Sequence, residues 1–134
     1  MPGSFFDSNV VLYLVSGDPG KADQAETVLR AGGTISAQVL NEVAHVARRK
    51  FHLSWLEARL LLDSVLGFVG VVRPVTLAIH QSGLALAERH LLSVYDGVIV
   101  ASALDAGCDT LLSEDMHAGL LIEGRLRIVN PFVA

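Results

Sequence analysis

One cysteine, Cys108, leaves no partner for an internal disulfide. A chain without that staple suits a reducing compartment, and the cytoplasm is the expected location. Long apolar runs are missing as well. The longest, Val65–Val72 and Val98–Leu104, are interrupted by Gly or Ser and fall far short of the roughly 18–20 residues that span a bilayer. No membrane association is expected. The opening stretch MPGSFFDSNV lacks a basic segment and a small-residue cleavage site, so no signal peptide is expected. Basic residues are scarce, 10 Lys and Arg against 14 Asp and Glu for a net charge of −4, which argues against a broad electrostatic grip on nucleic acid. That argument weakens if several acids are ligands of divalent cations. Also absent are the G-x-G-x-x-G turn, the phosphate-binding lysine loop and G-x-S-x-G, which disfavours nucleotide-binding enzymes and serine hydrolases.

What is present is a core-forming composition. Hydrophobic residues make up 51% and charged residues 18% of 134 residues, a balance that excludes intrinsic disorder and suits one domain covering 1–134. Short apolar runs alternate with stretches of helical period. Ser4–Phe6, Thr34–Ser36, Val71–Val75 (interrupted by Pro74), Thr110–Leu112 and Leu126–Val129 read as strands. Between them, Asp18-Pro19 opens a helix that stops at Gly32-Gly33. Val39, Leu40, Val43, Val46 and Ala47 mark a helix over 37–50. Ser54-x-x-Glu57 and Ser93-x-x-Asp96 read as capping boxes, and Thr76 as another cap. Strands separated by helices predict an α/β fold, a three-layer α/β/α sandwich around a parallel sheet.

Ligands of such sheets bind beyond the carboxyl ends of the strands. Asp7 directly follows the first strand and Asp115 closely follows the fourth. Asp96 opens the helix that leads into the fourth strand, so it lies at the same edge. Glu42 sits about a turn into the helix after the second strand, roughly 6–9 Å from its start. Each acid also has a plain reading: Asp7 as cap of the turn Ser8–Val10, Asp96 as member of its capping box, Asp115 as cap of a short helix from Met116, Glu42 as a solvated helix residue. Together, four carboxylates at one edge repel unless a cation sits among them. Oxygen-only ligands favour Mg2+ or Mn2+, and such a site suits phosphodiester hydrolysis. Asn9, Ser8 and Ser113 stand close enough in sequence to support these carboxylates. Arg48, Arg49 and Lys50 read either as charges at a helix C-terminus or as contacts to phosphate.

Four segments carry a resemblance. Phe6-Asp7-Ser8-Asn9-Val10, Ser36-Ala37-Gln38-Val39-Leu40-Asn41-Glu42, Ser93-Val94-Tyr95-Asp96-Gly97-Val98-Ile99 and Leu112-Ser113-Glu114-Asp115-Met116, with the ending Val129-Asn130-Pro131-Phe132, resemble in order the acidic motifs of the PIN-domain nucleases, specifically the VapC-type toxins. The resemblance implies a five-stranded parallel sheet and a homodimer. It implies Mg2+ or Mn2+ held by Asp7, Glu42, Asp96 and Asp115, endonucleolytic cleavage of RNA, and a cognate antitoxin protein. Gly97 departs from the pattern, because a better helix former is commoner after the third acid; the departure costs about 1 kcal/mol of helix propensity. A non-catalytic interaction module on the same fold is the competing expectation and predicts loss of one or more acids. An aspartyl phosphatase would need a second acid at the position of Asn9.

Overall fold

The computed structural model describes residues 3–132; the first two residues of the opening stretch and the last two of the expected domain lie outside it. Six strands form one sheet: β1 (Ser4–Phe6), β2 (Thr34–Ser36), β3 (Val71–Arg73), β4 (Thr110–Leu112), β5 (Leu121–Ile122) and β6 (Leu126–Val129). Their spatial order is β3-β2-β1-β4-β6-β5. The five expected strands are all parallel, and β5 adds an antiparallel edge to β6. The implied count of five is thus corrected to six. The extra strand arises because Glu123 and Gly124 both adopt positive φ, 55° and 67°, and turn the chain back on itself. β3 ends at Arg73 rather than Val75, since Pro74 brings no N–H to the ladder.

Six helices cover the sheet on both faces: α1 (Ser8–Leu12), α2 (Pro19–Arg30), α3 (Ala37–Arg49), α4 (Trp55–Phe68), α5 (Leu77–His90) and α6 (Val94–Asp105). A turn of 3-10 helix, Tyr13–Val15, follows α1. Local chemistry explains the starts. Asp18, Ser36, Ser54, Thr76 and Ser93 each accept a backbone N–H through the side chain at the head of a helix. Only Ser54 and Glu57 complete a reciprocal capping box; at α6 the Ser93 hydroxyl accepts from Asp96 N, and the Asp96 carboxylate makes no bond back to the Ser93 N–H. No helix is long and apolar enough to cross a membrane among the described residues.

Phe5, Phe6, Ile35, Leu111 and Ile128 bring the middle of the sheet into a fully buried core. The α5–α6 pair packs unusually close. A Cβ on Gly97 would lie 2.3 Å from the Gly83 carbonyl oxygen, and one on Gly83 would lie 2.8 Å from the Val98 Cα. Gly97 therefore sits in α6 because backbone approaches backbone there, which offsets its poor helix propensity. That contact fixes the depth at which the head of α6, and Asp96 with it, reaches the sheet edge.

Candidate active site

The sheet order places the candidate site. From β1 the chain moves one way, to β2 and then β3; β4 returns to the other flank of β1. The order reverses between β1 and β4, which opens a crevice at their carboxyl ends. Asp7 N donates to the Leu112 carbonyl at 3.0 Å, and Ser113 N to the Val129 carbonyl at 3.0 Å. These bonds hold the ends of β1, β4 and β6 level at that edge.

Asp7 is buried at the floor of the crevice. Its Oδ1 accepts the Ser8 N–H at 2.7 Å, so it caps α1 as its plain reading had it. Its Oδ2 faces the opposite strand and accepts the Ser113 hydroxyl at 2.8 Å. Burial pushes the carboxyl up to about 6; the bonds from Ser113 and Ser8 oppose this, and the charges of Asp96 and Asp115 add to it. Capping and candidate ligation are thus compatible, because each uses a different oxygen.

Asn9 bridges the two sides. Its Nδ2 lies 3.4 Å from Asp7 Oδ2, 3.3 Å from Ser113 Oγ and 3.2 Å from Asp115 Oδ2. Its Oδ1 accepts the Glu114 N–H at 3.2 Å. No helix begins at Met116, so Asp115 is not a cap. The Met116 N–H instead goes to Ser113 Oγ at 3.3 Å, which leaves the Asp115 carboxylate exposed at the crevice mouth. Neighbouring Glu114 turns elsewhere: Lys21 Nζ donates to it at 2.8 Å, and Tyr13 Oη also bonds it. Those two partners hold its carboxyl below the usual range.

Glu42 and Asp96 complete the ring. Burial pushes Glu42 up to about 7, with the Asp7 charge the next cause and Asp96 a smaller one. Burial also raises Asp96, and the Asp115 charge adds to it. Gln38, one turn before Glu42, was not singled out as a site residue by sequence reasoning. Its Nε2 donates to Glu42 Oε2 at 3.4 Å and to the Tyr95 carbonyl at 2.8 Å, tying α3 to the entry of α6. The i,i+4 spacing of Gln38 and Glu42 was the available signal. Ser8 contributes its backbone N–H to Asp7 and lines the cavities beside the crevice.

Four acids have a basic partner: Glu114 with Lys21, Glu26 with Arg30, Asp105 with Arg73 and Glu123 with Arg89. Asp23, Glu57, Asp63, Glu88 and Asp109 have none among the described residues but lie away from the lining of the cavities, and Asp18, also without one, caps α2. Among the described residues, none of Asp7, Glu42, Asp96 and Asp115 has a basic partner. They ring one crevice, although no three His, Cys, Asp or Glu side chains among the described residues stand arranged to hold a metal ion. Their donor chemistry fits a hard divalent cation: oxygen atoms only, negative charge uncompensated by lysine or arginine, and, for Asp7, Glu42 and Asp96, proton affinities raised first by burial and then by neighbouring carboxylates. Cys108 is buried, and burial pushes its thiol up, so it offers no thiolate. Arg48 lies over the Trp55 ring at 4.2 Å and donates to the Leu53 carbonyl at 2.9 Å. Trp55 itself is 61% exposed and not part of the core.

Comparison with known proteins bears on the family and the fold. The family model described as PIN domain matches residues 4–118. Among solved structures, a toxin-antitoxin complex from Klebsiella pneumoniae is similar, with a TM-score of 0.69 and 24% identity over 96% of this chain and 97% of that one. The sarcin-ricin loop cleaving toxin VapC20 of Mycobacterium tuberculosis has a TM-score of 0.65 and 16% identity over 81% of this chain and 86% of that one. FitAcB from Neisseria gonorrhoeae has a TM-score of 0.68 and 18% identity over 96% and 98% of the two chains. No curated protein sequence matches the chain.

Proposed function

The chain belongs to the PIN domain family, and on that premise we propose that it is a metal-dependent endoribonuclease, the toxin of a type II toxin–antitoxin pair. The observation that carries this reading is the ring of four acids without basic partners at the β1–β4 crevice. In the proposed site Asp7, Glu42, Asp96 and Asp115 hold Mg2+ or Mn2+. Such an ion lowers the pKa of a bound water and stabilises charge on a phosphodiester.

The chain's own residues do the rest. Ser113 and the Ser8 N–H aim the two oxygens of Asp7. Asn9 keeps the Asp115 carboxylate in register with Asp7 across the crevice. Gln38 sets the Glu42 carboxylate relative to the helix that bears Asp96. The similar solved toxin-antitoxin complex supports a partner antitoxin protein; a homodimeric toxin and a cytoplasmic site of action complete the proposal. The whole chain, 1–134, is proposed as one nuclease domain.

The test is cleavage of total RNA by wild type, Asp7→Ala and Asp96→Asn, with Mg2+ or Mn2+ and with EDTA. Discrete fragments from the wild type only with the ion, and a loss of at least about 100-fold in each variant, are expected. Cleavage that survives EDTA, or that Asp96→Asn carries out at the wild-type rate, contradicts the reading. Expression of the chain alone is expected to arrest growth, and co-expression of its antitoxin to relieve the arrest.

A further inference from the structure

Two open cavities flank the carboxylates, of about 760 Å3 and about 590 Å3. They meet at Ser8 and Val46, immediately beside Asp7. Glu42 lines the first and Asp115 the second, so the two lie on either side of Ser8 and Val46 with one of the acids in each. The two arms differ in chemistry. The first arm has no lysine or arginine; its wall includes Tyr95, which is 66% exposed. The Tyr95 backbone is pinned by Gln38 at 2.8 Å, so an open aromatic face is held one residue from Asp96. The second arm carries Lys50.

Lys50 differs from Lys21, which is paired with Glu114. Lys50 is exposed at the end of α3 and belongs to none of the ion pairs among the described residues. Its ammonium lies 5.7 Å from the centre of the Phe51 ring, a contact that leaves its charge unneutralised. A polyanion that approaches four carboxylates is repelled by them, so a cation without an acidic partner on one side has a defined use.

Resting on the nuclease reading, we propose that the two cavities are the arms of one track for single-stranded RNA, in which Lys50 takes a backbone phosphate on one side of the carboxylates and Tyr95 stacks on a base on the other. Every base has a π-face, so a tyrosine binds without strict sequence demands, while a lysine counts phosphates rather than bases. A folded duplex would present no unstacked base to Tyr95. The single-stranded segment of a loop or tail is therefore the occupant.

Two experiments on the full-length protein test this. In the first, cleavage kinetics with Mg2+ are measured on a mixed-sequence single-stranded RNA for Lys50→Ala, Tyr95→Ala and Tyr95→Phe. Tyr95→Ala raises KM roughly tenfold and Tyr95→Phe retains the wild-type value, because the ring and not the hydroxyl stacks. Lys50→Ala raises KM and flattens its salt dependence by about one phosphate contact, with kcat nearly unchanged in both alanine variants. In the second, the same proteins are titrated with fluorescently labelled RNA in EDTA, where affinity is read without cleavage, and the same order of affinities is expected.

Wild-type KM, affinity and salt slope in both alanine variants would overturn the track while leaving ion-dependent cleavage by the wild type intact. Equal impairment by Tyr95→Phe and Tyr95→Ala would overturn the stacking role. Loss of antitoxin binding with RNA affinity unchanged would assign the cavities to a polypeptide and overturn the proposal. Wild type that cleaves no RNA with either ion would instead bring down the nuclease reading, and the titration in EDTA would still decide the track.

Discussion

The Ser113 hydroxyl donates to Asp7 Oδ2 at 2.8 Å, joining the end of β4 to the end of β1 across 106 positions of sequence. Ser113 Oγ in turn accepts the Met116 N–H at 3.3 Å. One buried hydroxyl thus orients the deepest acid and shapes the loop that carries the most exposed one. Ser113→Ala is expected to reduce cleavage by about 10–100-fold, the usual cost of losing a group that orients a ligand. Because this bond lowers the Asp7 pKa, its removal is expected to move the acid limb of the pH–rate profile to higher pH. A rate profile that falls in amplitude without moving would show that Ser113 acts only on the loop.

Burial of Asp7 makes stability depend on pH. Its carboxyl sits at about 6 in the folded protein against an ordinary 3.8. Between these values the folded state still holds the proton that the unfolded state has released. Metal-free protein is therefore favoured at pH 4 and loses stability as pH rises through about 6, by up to about 3 kcal/mol for this group. Glu42, pushed up to about 7, extends the loss in the same direction. Asp7→Asn removes the more deeply buried charge. In EDTA at pH 8 it should be more stable to urea than wild type, and near pH 4 the difference should vanish. Equal stability of the two proteins at pH 8 would contradict the account.

Two glycines in helices make opposite predictions. A Cβ on Gly97 meets the Gly83 carbonyl oxygen at 2.3 Å, whereas one on Gly67, within α4, meets nothing within 4 Å. Gly97→Ala should therefore destabilise by about 1–3 kcal/mol despite the better helix former, and should impair cleavage by displacing Asp96. Gly67→Ala should stabilise by about 0.5–1 kcal/mol and leave activity alone. Urea denaturation of both variants checks the pair.

Gln38 offers a test of positioning. It touches one proposed ligand, Glu42, and the backbone beside another. Gln38→Ala should lower kcat without loss of fold, and Gln38→Glu should be worse, since it adds a fifth negative charge to the ring. If Gln38→Glu matches or exceeds Gln38→Ala in rate, the charge argument fails.

Most of the fold was legible because its helices announce themselves chemically. Asp18, Ser54, Thr76 and Ser93 each precede a helix that begins where its cap predicts. What escaped was too short to carry a period. α1 has five residues and read as a turn after Asp7, and β5 has two. Strand order could not be read because it depends on pairings such as Phe5 with Leu111, which no local pattern records. Asp7, Asp96 and Asp115 could be named because each follows a strand end or opens a helix, and Glu42 because it lies about a turn into the helix after β2. Their supports were harder: Asn9 was suspected from proximity, but that it reaches Asp115 is a consequence of β1 lying beside β4. Gln38 was missed as a site residue because half of its role is a bond to a backbone carbonyl 57 positions away.

Calorimetric titration of metal-free protein with Mn2+ at pH 8 addresses the central claim most directly, since it needs no RNA and no knowledge of the cleavage sequence. Saturable binding by the wild type, weakened at least about tenfold in each of Asp7→Asn, Glu42→Gln, Asp96→Asn and Asp115→Asn, is the predicted result. Wild type that binds no Mn2+, or single variants that bind it as tightly as wild type, would contradict the claim that these four carboxylates act together on one cation.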